Sequence, residues 1–225
     1  MDTRDLIDEM TAYYDRRVPW HDEYMSFRSD AEMEILLGPI ISLFEQNIRG
    51  KEVMEIACGT GNWTQVLAKR ARLVVATDVN SSAIAAAKRK PLASGNVVFE
   101  VADAYSLESM NRVFDVVFAA DWWSHVPRSA LPKFLGGVHC LLRAGGQAIF
   151  LDMMMKEGFA QEKAYFDDEG NRVSIRALPD GGRFHVIKNF PTEGELREAL
   201  SPFADDIFYY EHDGLRRWLL TGTHK

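Results

Sequence analysis

The segment Val53-Met54-Glu55-Ile56-Ala57-Cys58-Gly59-Thr60-Gly61-Asn62-Trp63 runs from apolar residues into a small residue and two glycines. Gly59 and Gly61 lack the Cβ that would hold a ligand away, so a loop of this kind between a strand and a helix lets backbone N–H groups approach it. Twenty-three residues after Glu55, Asp78 ends the next apolar run, and Asp103 ends the third in the same way. In an open parallel sheet such positions face the crevice at the strand ends, where a carboxylate can accept two hydrogen bonds from a ribose diol. Glycines and strand-end acids together point to a nucleoside-type cofactor. The loop after the fourth run, Ala120-Asp121-Trp122-Trp123-Ser124-His125-Val126-Pro127, borders the same crevice. His125 is its best-placed group for removing a proton, and it could equally cap the following helix or bond a carbonyl. The two tryptophans suit either packing or a substrate platform.

The elements that must hold these residues are legible as a change of rhythm. Residues 2–48 read as helical, with Leu6, Ile7, Met10, Tyr13 and Tyr14 at spacings of three and four and a second stretch, Asp30 to Asn47, interrupted at Gly38-Pro39. Between them Arg17 to Phe27 reads as a loop. From Lys51 onward come VMEIA (53–57), LVVATD (73–78), VVFEVA (97–102), FDVVFAA (114–120) and QAIFLDM (147–153), near-continuous apolar runs of the kind buried on both faces of a sheet. Helical stretches at Trp63–Arg70, Ser81–Lys90 and Ser129–Leu142 alternate with them, so an α/β, doubly wound, mostly parallel sheet is expected. The last zone breaks the rhythm. Two strands flank Pro179-Asp180-Gly181-Gly182, giving a hairpin at 171–190. A helix follows at Thr192–Leu200, and then strands at Asp206–His212 and Leu215–Thr221 joined by Asp213-Gly214. A two-residue connection joins only antiparallel strands, so the sheet should finish with an antiparallel member.

Glu55-x-Ala57-x-Gly59-x-Gly61, Asp78 and Val101-Ala102-Asp103-Ala104 together resemble the class I S-adenosylmethionine (SAM)-dependent methyltransferases over roughly residues 50–155. The resemblance implies a Rossmann-like seven-stranded sheet and SAM as cofactor, with S-adenosylhomocysteine (SAH) as product. It implies that the loop at Ala57, Cys58, Gly59 and Gly61 borders the methionine part and that Glu55 acts through the loop and the cofactor amine. Asp78 with Val79 would hold the ribose, Asp103, Ala104 and Tyr105 would meet the adenine, and Ala120 would line the fourth strand end. Ala57 departs from the family's glycine and is accommodated if its φ is negative. A nicotinamide-dependent oxidoreductase shares the glycine loop and the acid, but its fingerprint wants a small residue where Thr64 stands.

The acceptor is less clearly written. Nucleobase-methylating relatives carry prolines where Trp122 and Trp123 stand, which counts against a nucleobase. Tyr13–Arg17 and Trp20–Tyr24 resemble the helical lid of small-molecule members, making residues 1–50 a lid over a core of 51–225 and making Tyr14 and Tyr24 candidate substrate contacts, with Trp123. The hairpin carries Arg172, Arg176, Arg183 and Lys188. A modest register shift would bring Arg176 near Lys188, a site for a carboxylate, phosphate or phosphonate. In this it resembles small-acid O-methyltransferases, including a phosphonate-methylating type. An amine or thiol acceptor, or a SAM-binding regulatory protein without turnover, fits the same cofactor half.

Composition narrows the classes further. A formal charge of −7 over 225 residues repels phosphate polymers. Two cysteines, Cys58 and Cys140, make no disulfide framework, and MDTRDLIDEM has acids where a signal peptide would be expected to place a basic then apolar stretch. No apolar run approaches the ~18 residues of a membrane helix. The expectation is a cytoplasmic monomer or homodimer with a small-molecule substrate, no nucleic acid, no membrane and no metal.

Overall fold

The computed structural model describes residues 2–24, 29–92, 95–155 and 163–225. Among them α1 spans Thr3–Arg17 and α2 Asp30–Ile48, and between these a 3-10 turn covers Val18–Tyr24. The alternating region is β1 (Glu52–Ile56), α3 (Asn62–Ala68), β2 (Leu73–Asp78), α4 (Ser81–Ala87), β3 (Val97–Val101), β4 (Phe114–Ala120), α5 (Leu131–Leu141) and β5 (Leu142–Met153). Then come β6 (Ala164–Phe166), β7 (Arg172–Ala177), β8 (Arg183–Ile187), α6 (Glu193–Leu200), β9 (Ala204–His212) and β10 (Arg217–His224). The main sheet has seven strands in the order β3-β2-β1-β4-β5-β10-β9. β1 to β5 run parallel, and β10 lies antiparallel between β5 and β9. The antiparallel last strand is therefore as expected.

Alternation along the doubly buried strands divides the core in two. Met54, Ile56, Val117 and Phe150 face Phe134, Val138 and Leu196 on one side, while Val53, Val74, Val116, Phe118 and Leu151 face the other. That second face is covered by α2 through Met33, Leu37, Ile40, Ile41, Phe44 and Ile48. The same stripe explains why α2 runs unbroken through Pro39, against the expected interruption. Burial of these side chains on both sides of the proline outweighs the ~3 kcal/mol that an interior proline costs.

Other differences are also physical. β5 begins at Leu142, directly off α5, because Arg143 reaches Asp115 and Glu52, each at 2.7 Å, and pins the strand's start. The Arg17–Phe27 loop is partly a 3-10 turn, and Asp213-Gly214 lies in another, Asp213–Leu215, closed by Arg216 in the left-handed region. The hairpin is part of a three-stranded sheet, β6-β7-β8, whose first strand consists of exposed residues and left no pattern in the sequence. Its register pairs Val173 with Ile187 and Arg176 with Phe184, so Lys188 lies beside Arg172 rather than Arg176, donating its N–H to the Arg172 carbonyl at 2.8 Å. Against this sheet α1 lays Leu6, Met10 and Tyr13, burying them with Val173, Leu178, Phe184, Val186 and Ile187. No helix among the described residues is long and apolar enough to cross a membrane.

Candidate active site

The β1–α3 loop carries three residues in the left-handed region: Ala57 (φ 53°), Gly59 (φ 55°) and Gly61 (φ 83°). The condition set for Ala57 fails, and its Cβ is held in strain that glycine would avoid. The loop is tied to the next strand end. Asp78 accepts the Gly59 N–H on Oδ2 and the Asn80 N–H on Oδ1, both at 2.9 Å. Burial raises the Asp78 carboxyl above its ordinary range, opposed by these N–H groups and by His21. Glu55 is fully buried beneath the loop and accepts the Thr64 hydroxyl at 2.6 Å, so the residue that argued against a dinucleotide fingerprint serves here to satisfy a carboxyl. Desolvation pushes Glu55 up to about 8. Gly61 has a packing reason of its own, since a Cβ there would meet the Ala87 Cβ at 2.9 Å. Cys58 is buried, its thiol raised by burial, and its N–H bonds the Thr77 carbonyl at 2.8 Å.

Along the neighbouring strand ends, Val79 and Asp103 are exposed, Ala104 is buried, and Ala120 is half-buried against the core. Asp103 accepts the Tyr105 N–H at 2.9 Å. The Tyr105 and Trp122 rings lie 6.0 Å apart, and both polar tips, Tyr105 Oη and Trp122 Nε1, are buried with no hydrogen-bond partner among the described residues. Buried donors without partners are costly in a finished core. The glycine loop, the two-pronged Asp78 and these orphaned donors fit a ligand with a diol and a heteroaromatic ring, as SAM has.

The second half of the site lies between α1 and the small sheet. His125 is buried, with Nδ1 2.5 Å from the Ile187 carbonyl and Nε2 2.8 Å from Tyr14 Oη. A carbonyl only accepts, so Nδ1 carries the proton and the bare Nε2 accepts the Tyr14 hydroxyl. Arg176 in turn donates to Tyr14 Oη at 3.4 Å. Burial, then Lys188 and Arg176, hold His125 well below its ordinary pKa, and burial raises Tyr14. His125 is therefore a neutral imidazole at pH 7.

Tyr14, His125 and Arg176 are thus brought together. Lys188 acts on that group through its charge, while its side-chain hydrogen bonds to Ser124 and Asp152 lie beside it. Its ammonium, 3% exposed, donates to Ser124 Oγ at 2.6 Å and to Asp152 at 3.2 Å, and Asp152, 0% exposed, also accepts the Ser124 N–H at 2.8 Å. The pair fixes Ser124 and Ile187, the neighbours of His125 and of Lys188. Trp123, expected to touch substrate, is a core residue, edge-on to Phe150 at 4.9 Å and to Trp218 at 6.1 Å. The side chain of Tyr24 lies outside the described residues. Sequence reasoning missed Asp152 and Ser124, and also Arg217, whose guanidinium reaches Asp121 at 2.6 Å. An acid inside the apolar run QAIFLDM was the available signal, because a buried carboxylate demands a partner.

A family model described as a methyltransferase domain matches residues 53–146. The ubiquinone biosynthesis O-methyltransferase of Azotobacter vinelandii is 30% identical over 213 residues, covering 91% of this chain and 86% of that protein. The enzyme of the same name from Pseudomonas fluorescens (strain Pf0-1) is 30% identical over 153 residues, and there the match covers 67% of this chain but only 62% of the relative's length. Among solved structures, one described as a DhpI-SAM-HEP complex is 28% identical with a TM-score of 0.79, covering 100% of both chains. Magnesium protoporphyrin IX methyltransferase from Synechocystis, with bound SAH, shares the fold at 17% identity and a TM-score of 0.66, again covering 100% of both chains.

Proposed function

The chain belongs to the class I SAM-dependent methyltransferases, and from that premise we propose that it transfers the methyl group of SAM to an oxygen of a small acid of the carboxylate or phosphonate type. The observation that carries the acceptor reading is the continuous chain of hydrogen bonds from Arg176 to Tyr14 to His125 to the Ile187 carbonyl. It sets a guanidinium, a hydroxyl and a neutral imidazole side by side between lid and sheet. The names of the relatives support oxygen as the nucleophile, since the Azotobacter and Pseudomonas proteins are O-methyltransferases, and a structural neighbour is a complex of SAM with a further component, HEP.

When bound, SAM supplies a methyl group already activated on a sulfonium, so the protein's work is alignment and exclusion of water. In this reading Asp78 holds the ribose, the Gly59 loop and Glu55 lie under the methionine part, and Asp103 with Tyr105 and Trp122 flank the base. Arg176 attracts and orients the acceptor anion. Nε2 of His125 takes a proton passed through Tyr14 when the acceptor oxygen carries one. The lid proper is α1 with the Val18–Tyr24 turn, and α2, expected in the same unit, serves the core of 51–225. The reading keeps a cytoplasmic enzyme, monomer or homodimer, with a small molecule rather than nucleic acid or membrane as its partner.

Transfer of label from methyl-labelled SAM across panels of small acids, amines and thiols tests the acceptor. Label in the acid panel, with Arg176→Met raising KM for the acid at least about tenfold and leaving SAH affinity intact, is the expected result. Label confined to amines or thiols contradicts it.

A further inference from the structure

The Val18–Tyr24 turn carries a histidine that nothing above assigns. His21 stands over the glycine loop, its Nε2 3.9 Å from where a Cβ on Gly59 would be. The other ring nitrogen is held: Nδ1 lies 3.2 Å from Asp22 Oδ1 and 3.2 Å from Thr60 Oγ1. Nε2 has no hydrogen-bond partner among the described residues. Asp22 is itself fixed from the far side of the loop, accepting from Thr60 Oγ1 at 2.7 Å and Asn62 Nδ2 at 3.2 Å, with Lys90 Nζ at 3.0 Å. Hydrogen bonds from His21, then Thr60 and Lys90, hold the Asp22 carboxyl far below its usual range. Thr60 is buried, and its hydroxyl meets His21 and Asp22 from the lid as well as Asn62 and Lys90. Further along the lid, Asn80 Nδ2 donates to the Thr11 carbonyl at 3.3 Å and Ser82 Oγ to Asp15. The lid is therefore fastened to the loops after both β1 and β2.

We propose that His21 is a cofactor-binding residue supplied by the lid, its Nε2 directed at the amino-acid end of SAM on the Gly59 loop, and that Asp22 is the positioning residue that aims it. An imidazole oriented by a carboxylate on Nδ1 presents a defined Nε2 to a ligand, and an α-amino acid offers both a carboxylate and an ammonium for it to meet. The proposal rests on the cofactor reading above and adds to it a contact from outside the alternating core.

The test compares two ligands by calorimetry with the full-length protein: SAH, which has the amino-acid end, and 5′-methylthioadenosine, which lacks it. His21→Ala should weaken SAH about tenfold and leave 5′-methylthioadenosine within about twofold, since one charge-assisted hydrogen bond is removed from one end of the ligand only. Asp22→Asn should show the same selective loss at smaller size. Equal loss for both ligands would make the turn merely structural, and no loss for either would remove His21 from the site; both outcomes overturn the proposal. If wild-type protein binds neither ligand, the cofactor reading fails, and the proposal with it.

Discussion

At the residue scale the site is governed by groups whose burial sets their charge. Glu55 keeps its proton in the folded chain up to about pH 8, against 4.5 as its ordinary value. A folded-state pKa raised in this way contributes stability that is complete below pH 4.5 and is lost as pH rises through 8. Glutamine mimics the protonated acid, so Glu55→Gln should melt with the wild type at pH 5 and roughly 5–10 °C above it at pH 9, read by thermal unfolding monitored by circular dichroism. Equal melting temperatures at pH 9 would mean that Glu55 is ionised and paired. Ala57 gives a second prediction: with φ at 53°, Ala57→Gly should raise the melting temperature by about 2–4 °C, from ~1 kcal/mol of relieved strain. The glycines and Asp78 were legible because loop and acid are local signals. The sign of φ at Ala57 was not, since it depends on how the loop is tied to Asp78 and to the Thr77 carbonyl.

Among the elements, β1 to β5 could be read directly, because a strand buried on both faces must be apolar throughout. The small sheet could be read only in part. Its register decides which bases meet, and the pairing of Val173 with Ile187 sends Lys188 to Asp152 and leaves Arg176 with Tyr14. The two cations thus part in function. Lys188→Met should strand a buried carboxylate and cost about 3–5 kcal/mol of stability, much of it regained in the double variant with Asp152→Asn. Arg176→Met, which removes a bond to a hydroxyl rather than to a buried carboxylate, should cost less than Lys188→Met. Chemical denaturation of the three variants checks this, and a Lys188→Met protein as stable as wild type would show that the pair is not buried in solution. The cover was legible as a lid by resemblance, but Val18–Tyr24 read as a loop because its local shape depends on Thr60, Asn62 and Lys90 far along the chain.

For the whole molecule, the alternating half supplies a rigid platform and the N-terminal segment with the small sheet supplies what is particular to this chain. α1 joins the two halves, since one face buries Leu6, Met10 and Tyr13 against the small sheet while Tyr14 turns to His125. Everything functional presupposes that the platform grips SAM through Asp78 at the end of β2. Isothermal titration of SAH into wild-type protein and Asp78→Ala measures this directly. One site per chain is expected, with a Kd of about 10 μM or tighter, weakened at least about tenfold in the variant through loss of a charge-assisted pair of hydrogen bonds. Absence of heat with the wild type at high micromolar SAH, or an unchanged Kd in a folded Asp78→Ala protein, would contradict it.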